Sequence, residues 1–261
     1  MTDENVFDVL KNSLFYKKRE WLDFFQSWCD GQTHFIREFA MPYRRVTKDL
    51  EQLYRQVMFF SAQMHNDVFL TAYSYRMMKD TERKTRRYIP DYSTAYINKV
   101  YWDLDLDAKK GTCMQDTYDD AMKMFDYFGN DCRIYFSGGK GFHVYVDLLL
   151  AITKSDLREY TIFVMDGLQL KTGDRRFLGD IARIIRLPYC PHAKTKQYMI
   201  PITREMSLKQ ILDDSTVFKM PVPLVKKPIV LADKWQNTSG TSYPVRHWGG
   251  SVDNPRSTTT N

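Results

Sequence analysis

Over residues 98–107 the chain alternates with a period of two. Val100, Trp102, Leu104 and Leu106 fall on one side, and Tyr101, Asp103, Asp105 and Asp107 on the other. Only an extended strand puts successive side chains on opposite faces, so this stretch reads as a strand with one apolar and one acidic face. Aspartate is disfavoured in strands, and three within five residues ask for a reason. Two are open at this point. The strand lies at a solvated edge, or carboxylates two residues apart jointly hold divalent cations, as two-metal phosphoryl transfer requires; without a cation or base between them they repel.

The flanking pattern gives this strand its setting. Residues 1–60 read as helical, with Trp21, Leu22, Phe24 and Phe25 in one stretch and Leu50, Leu53, Tyr54, Val57 and Met58 in another, separated by an extended piece at 34–43. A strand is expected over 68–75, then a basic polar loop over 79–87 that is either a solvated face or a template contact. A helix fits 116–128, with Ala121, Met122, Phe125 and Phe128 as its apolar side and Gly129 and Asn130 at its end. A strand follows at 133–136. A glycine-rich turn then leads into a strand in which Phe142, Val144, Val146 and Leu148 alternate with His143, Tyr145 and Asp147. The next helix runs from Ser155, read as its N-cap, through Leu168. This order predicts an α+β domain with a largely antiparallel sheet. Beyond residue 234 the composition turns to Thr, Ser, Gly, Asn and Pro, which reads as a polar tail or linker.

Composition bounds the function classes. With 261 residues and 43% hydrophobic content the chain can bury one or two cores, which excludes a disordered tail or a disulfide-stapled mini-protein. The 38 Lys and Arg against 32 Asp and Glu permit a nucleic-acid partner without requiring one. The 17 Tyr and 16 Phe leave rings that could stack on bases. Cys29, Cys113, Cys132 and Cys190 form no close pair, so they read as reduced thiols of an intracellular protein. There is no run of about 18 apolar residues, and Asp3, Glu4, Asp8 and Lys11 do not resemble a secretory leader. The expectation is a soluble protein that is not secreted and uses no membrane.

Two further motifs carry chemistry. Ser137-Gly138-Gly139-Lys140-Gly141-Phe142-His143 exposes backbone N–H groups to an approaching phosphate, with Lys140 and His143 adding charge and a donor. It lacks the ending of a P-loop, and a plain hairpin would also use these glycines. The other motif runs from Gly179 to Lys196. If 180–186 form a helical turn, Ile181, Ile184 and Ile185 pack inward, Arg183 and Arg186 share the opposite face, and Pro188 stops the turn. Asp180 then sits beside a cluster of cations, although a surface helix with ordinary charges fits the same residues.

Asp-x-Asp on a strand, then Ser-Gly-x-x-Gly-x-His, then Asp followed by Arg-x-x-Arg-Leu-Pro and His-x-Lys-Thr, in this order, resemble the catalytic small subunit of archaeo-eukaryotic DNA primases. Arg37-Glu38-Phe39-Ala40 resembles that family's Arg-Glu-Phe signature, and Phe69-Leu70-Thr71-Ala72-Tyr73-Ser74 the segment before its first catalytic strand. The resemblance spans roughly residues 32–202. It implies a primase-polymerase fold: a mixed, largely antiparallel RRM-like sheet flanked by helices, with a helical N-terminal addition, in a catalytic domain over 1–233 and a tail over 234–261.

The resemblance also implies roles. Asp103, Asp105 and Asp180 match the family's metal-binding carboxylates, holding two Mg²⁺ or Mn²⁺ ions. Ser137, Lys140, His143, Arg186, His192 and Lys194 match triphosphate contacts, as does Arg183 less closely. Arg37 matches a basic residue near the nucleotide, and Asp107 has no firm counterpart. The implied activity is template-directed synthesis of primers on single-stranded DNA from nucleoside triphosphates. The alternatives are a gap-filling or end-joining polymerase that only extends primers, or a non-catalytic DNA-binding replication accessory protein. A large primase subunit or a replicative helicase are the implied protein partners. Archaeal members carry a zinc-binding insertion after the Asp-x-Asp strand, whereas here that interval holds only Cys113, so no structural zinc is expected.

Overall fold

The computed structural model describes residues 18–28, 36–40, 44–47, 49–63, 66–79, 89–217 and 229. The expected tail over 234–261 and most of the basic loop over 79–87 lie outside them. The chain is α+β, as its sequence pattern predicts, and its two main sheets are each four-stranded and antiparallel.

The acidic strand is β8, Lys99–Asp105. It pairs antiparallel with β10, Gly141–Asp147, which pairs with β9, Cys132–Phe136, which pairs with β12, Ile200–Ile202. The register places Tyr101 opposite Tyr145, Asp103 opposite His143 and Asp105 opposite Gly141. Opposed residues share a face, so the period-two pattern sorts this sheet into two different surfaces. On one face Val100, Trp102, Leu104, Phe142, Val144 and Ile134 are all buried. Helix α3, Met114–Phe128, and helix α4, Lys154–Gly167, pack there. The Trp102 ring lies 5.5 Å from that of Phe128, and its indole N–H donates to the Thr161 carbonyl at 3.3 Å.

The other face is split. At one end helix α1, Lys18–Trp28, closes it: the Trp28 ring sits 5.7 Å from Tyr135 and 4.9 Å from Tyr145, and the Lys99 ammonium donates to the Trp28 carbonyl at 3.2 Å. At the other end Asp103, Asp105 and His143 face a cavity. Its far wall comes from the second sheet. There β3, Phe69–Thr71, lies between β1, Arg37–Ala40, and β11, Ile184–Arg186, and β2, Arg44–Thr47, extends the β1 side.

Several expectations are corrected here. The expected helical turn at 180–186 is a turn followed by strand β11. The Asp180 carboxylate captures the Ala182 N–H at 2.9 Å, and the β-branched pair Ile184 and Ile185 gains a ladder against Phe69–Thr71 that a helix would forgo. Arg183 and Arg186 are therefore not partners on one helical face. Helix α4 is capped by Thr153 rather than Ser155, because the Thr153 hydroxyl and the Asp156 carboxylate form a reciprocal capping box, while Ser155 bonds Glu159. The helical reading of the N-terminal region holds for α1 and for α2, Leu50–Val57, which continues as a π-helical segment to Gln63. The chain between α1 and α2 contains the β1–β2 pair, so the extended piece reaches Thr47. The strand expected over 68–75 divides into β3 and the short strand Ser74–Tyr75, which belongs to another sheet. Among the described residues no helix is long and apolar enough to cross a membrane.

Gly141 fixes the join between turn and sheet. A Cβ built there would lie 1.7 Å from the Leu104 carbonyl oxygen, so only glycine lets the strands approach this closely. Gly141→Ala is expected to force β8 and β10 apart at the site and destabilise the fold by about 1–3 kcal/mol. Denaturant unfolding checks this, and an unchanged midpoint would contradict the register given above.

Candidate active site

The cavity between the two sheets has a volume of about 160 Å³. That is below the ~300–1,000 Å³ of a complete small-molecule site and suits the charged end of a larger ligand. One wall is acidic, with Asp103 and Asp105 from β8. Tyr101 of β8, Ser137, Gly139 and Lys140 of the glycine-rich turn, His143, Arg183, Arg186 and His192 complete the polar lining. Eight of the eleven residues expected at the site from sequence therefore meet here: Asp103, Asp105, Ser137, Lys140, His143, Arg183, Arg186 and His192.

Burial sets the electrostatics. The Asp103 carboxylate is pushed upward in pKa by burial, against the opposing Arg183 guanidinium, and the charge of Asp174 adds to the rise. Its Oδ2 accepts from Arg183 at 2.7 Å, whereas Oδ1 is buried without a hydrogen-bond partner. Burial and the neighbouring Asp103 also raise Asp105, with Lys140 at 3.5 Å opposing them. His143 is buried and pushed down to about 4, so it is neutral at pH 7. Its Nε2 stands 3.7 Å from Asp103 Oδ1, and its Nδ1 lies 3.3 Å from the Tyr145 hydroxyl. A neutral imidazole beside Asp103 is a donor and no counter-ion.

His192 is likewise lowered, by burial first and then by Arg186 and Lys194. Its Nδ1 accepts the backbone N–H groups of Lys194 and Thr195 at 3.1 and 3.4 Å. That leaves the proton on Nε2, the edge packed against Gly139, where a Cβ would come within 3.0 Å of it. His192 thus offers a fixed N–H donor beside the glycine-rich turn without being charged. Arg186 is held over the Phe69 ring at 5.0 Å and is paired with Asp67. Burial lowers it to about 10, and it stays cationic at pH 7.

Three expected site residues do not line the cavity. Arg37 is 4% exposed, and its guanidinium donates to the Thr71 carbonyl at 3.0 Å, bracing β1 against β3. Asp180 caps the turn that carries Arg183, and its charge bears on buried Tyr73. Lys194 is exposed, and its backbone rather than its ammonium orients His192. Asp107 caps the short helical turn that follows β8, accepting from the Lys109 N–H at 3.0 Å.

Asp174 and Asp67 are the residues that sequence reasoning missed. The Asp174 backbone N–H donates to the Asp103 carbonyl at 2.9 Å. Its carboxylate, despite partial burial, is held below the usual range by hydrogen bonds from Arg176. The sequence signal for Asp174 is its place in the run Thr172-Gly173-Asp174, shortly before the motif that begins at Gly179.

The donor set fits a divalent cation. Two like-charged carboxylates share a face, one buried oxygen has no partner, and Asp174 is a third acid whose charge reaches Asp103. Among the described residues no group of three His, Cys, Asp or Glu is already gathered at ligating distance.

No protein-family model and no curated protein sequence matches the chain. Among solved structures it is similar to the AEP domain of the primase-polymerase of cyanophage S-2L, with TM-score 0.46, 14% identity, and coverage of 76% of this chain and 98% of that one. It is also similar to the polymerase domain of Mycobacterium tuberculosis ligase D in complex with DNA, with TM-score 0.40, 13% identity, and coverage of 77% and 84%. A third is primase RepB′, with TM-score 0.41, 13% identity, and coverage of 74% and 61%.

The raised carboxylates make a stability prediction. An acid whose folded pKa lies above its unfolded value favours the fold when protonated, and that contribution is lost as pH rises through the folded pKa. In chelator at pH 7, Asp105→Asn is therefore expected to melt higher than the wild type. The difference should close as pH falls through the carboxylate range, where the wild-type group is protonated too. Added Mn²⁺ should raise the wild-type melting temperature and leave Asp103→Asn/Asp105→Asn unmoved. Calorimetry at several pH values checks both, and a wild type indifferent to Mn²⁺ would contradict the cation fit.

Proposed function

We propose that the protein is a nucleotidyltransferase of the archaeo-eukaryotic primase-polymerase type, which joins nucleoside triphosphates on a single-stranded DNA template. One observation carries this reading: paired carboxylates face a set of phosphate-type donors across a single cavity. Acids alone would suit a simple cation site, and donors alone an anion site. Both together, with glycine-rich backbone between them, suit a metal-bound triphosphate.

Asp103 and Asp105 would hold the ions, with the charge of Asp174 nearby. Divalent ions bound there would activate a primer 3′-hydroxyl and neutralise charge at the attacked phosphorus and the leaving pyrophosphate. The chain's own residues position and neutralise. Lys140 and Arg186 supply fixed positive charge, and Ser137 and the neutral Nε2–H of His192 supply directed donors. His143, whose Nδ1 lies by the Tyr145 hydroxyl, is a neutral imidazole near Asp103 and does not neutralise its carboxylate. Arg183 pairs with Asp103 while its guanidinium lies 3.7 Å from the Phe177 ring centre. No covalent intermediate with the protein is needed, because the work is alignment and charge.

Asp105→Ala is expected to abolish nucleotide incorporation while keeping the wild-type circular dichroism spectrum. His143→Ala should lower kcat/KM by an amount equivalent to about 2–4 kcal/mol. The decisive assay supplies single-stranded DNA, Mn²⁺ or Mg²⁺ and nucleotides, with and without a primer. Dinucleotides formed without a primer identify a primase, and extension confined to primed template identifies a gap-filling or end-joining polymerase. An Asp105→Ala protein as active as the wild type would overturn the proposal.

A further inference from the structure

Asp67 lies outside the cavity lining, on the short link between the π-helical segment that ends at Gln63 and strand β3. One of its oxygens, Oδ1, takes two donors from two separate parts of the site. The Arg186 guanidinium reaches it from β11, and the Ala193 backbone N–H reaches it at 2.8 Å from the loop that carries His192. The surrounding backbone enforces this meeting. Arg186 is paired with Phe69 in the β11–β3 ladder, and the Leu187 N–H donates to the Val68 carbonyl at 2.8 Å.

The consequence concerns aim rather than contact. An arginine has four rotatable side-chain bonds and a buried guanidinium that loses freedom only if something fixes it. Here Nη1 of the group is tied to Asp67, its central carbon lies 5.0 Å from the Phe69 ring centre, and the side chain lines the cavity. The same oxygen anchors residue 193, immediately after His192, whose ring is held from the other side by the Lys194 and Thr195 N–H groups. Arg186 and His192 come from different elements and are tied together through this one carboxylate.

We propose that Asp67 is a positioning residue for the triphosphate subsite, setting the Arg186 guanidinium and the His192 loop at a fixed separation before the nucleotide arrives. This rests on the nucleotidyltransfer reading given above. Residues that orient the groups touching a ligand typically shift affinity or activity about 10- to 100-fold when lost. Because Asp67 acts on a group that meets the nucleotide in ground state and transition state alike, its loss appears mainly in KM.

The test is primer extension with Mn²⁺ and dATP or ATP, measuring KM and kcat for the wild type, Asp67→Ala, Asp67→Asn, Arg186→Ala and Asp67→Ala/Arg186→Ala. Equilibrium binding of the same nucleotides to each protein is measured in parallel. Asp67→Ala is expected to raise KM and the dissociation constant about tenfold with kcat within threefold of wild type. Asp67→Asn keeps an acceptor for both donors and should show a smaller rise in the same direction. The double variant should be worse than Arg186→Ala by clearly less than the full Asp67→Ala factor, because part of that factor acts through Arg186 and the rest through the His192 loop. If Asp67→Ala fails to fold, the Asn variant alone decides. KM and binding unchanged in the folded variants, or losses that multiply in the double variant, overturn the proposal. A wild-type protein that binds no triphosphate overturns the nucleotidyltransfer reading first and this inference with it, whereas a binding wild type with an equally competent Asp67→Ala overturns this inference alone.

Discussion

The pairing of β8 with β10 is the constraint on which the site depends. It sets Asp103 opposite His143 and Asp105 opposite Gly141, and it does so at a backbone approach that excludes any Cβ at residue 141. A slip of one residue would turn the carboxylates toward the helices and bring Trp102 and Leu104 to the cavity. Such a slip is opposed by everything packed beneath. Trp102 and Leu104 are buried against α3 and α4, and Trp28 with Tyr145 and Tyr135 closes the far end of the polar face. The hydrophobic core thereby fixes the position of the charges.

Those charges are costly where they stand. Burial and mutual repulsion disfavour ionised Asp103 and Asp105, and burial disfavours protonated His143. The fold tolerates this because the compensating groups arrive from other segments: Arg183 from the turn before β11, for Asp103, and Lys140 from the glycine-rich turn, for Asp105. The turn bearing Arg183 is itself pinned three times, by Asp180 on the Ala182 N–H, by the Tyr75 hydroxyl on the Ile181 carbonyl at 2.7 Å, and by the Ala72 N–H on the Arg183 carbonyl at 2.8 Å. Asp180 and Arg37, which the sequence reads as ligand contacts, lie outside the cavity lining and serve there as such a pin and a brace.

Much of this was legible in the chain. Period-two alternation gave β8 and β10 nearly to the residue, helical spacing gave α3, and the glycine-rich turn fell between two strands as expected. Asp103, Asp105, Lys140 and His143 were readable because a strand or a hairpin turn fixes the direction of its side chains from local spacing alone. Other positions depend on partners distant in sequence. Ile184 and Ile185 suit a helix or a strand equally by local pattern, and only the free edge of Phe69–Thr71 decides between them. Asp67 is separated from Arg186 by 119 residues and Asp174 from Asp103 by a whole strand-helix-hairpin-helix passage, so no local spacing announces either contact.

Apart from Lys140 on the β9–β10 turn, the cations of the cavity come from a different piece of the structure than the carboxylates, and this separation has a chemical consequence. The carboxylates belong to one sheet, whereas Arg183 and Arg186 belong to the turn and strand of the other, and His192 to a loop tied to that second sheet through Asp67. Among the described residues Arg183 bridges the gap to Asp103 Oδ2, and Asp103 Oδ1 has no hydrogen-bond partner. A ligand that is only anionic would satisfy the second sheet and leave the carboxylates repelling each other. One that is only cationic would satisfy β8 and leave Arg186 and His192 directed at open space. A phosphate chain carrying divalent cations satisfies both walls at once, and in doing so it joins the two sheets across the cavity that separates them.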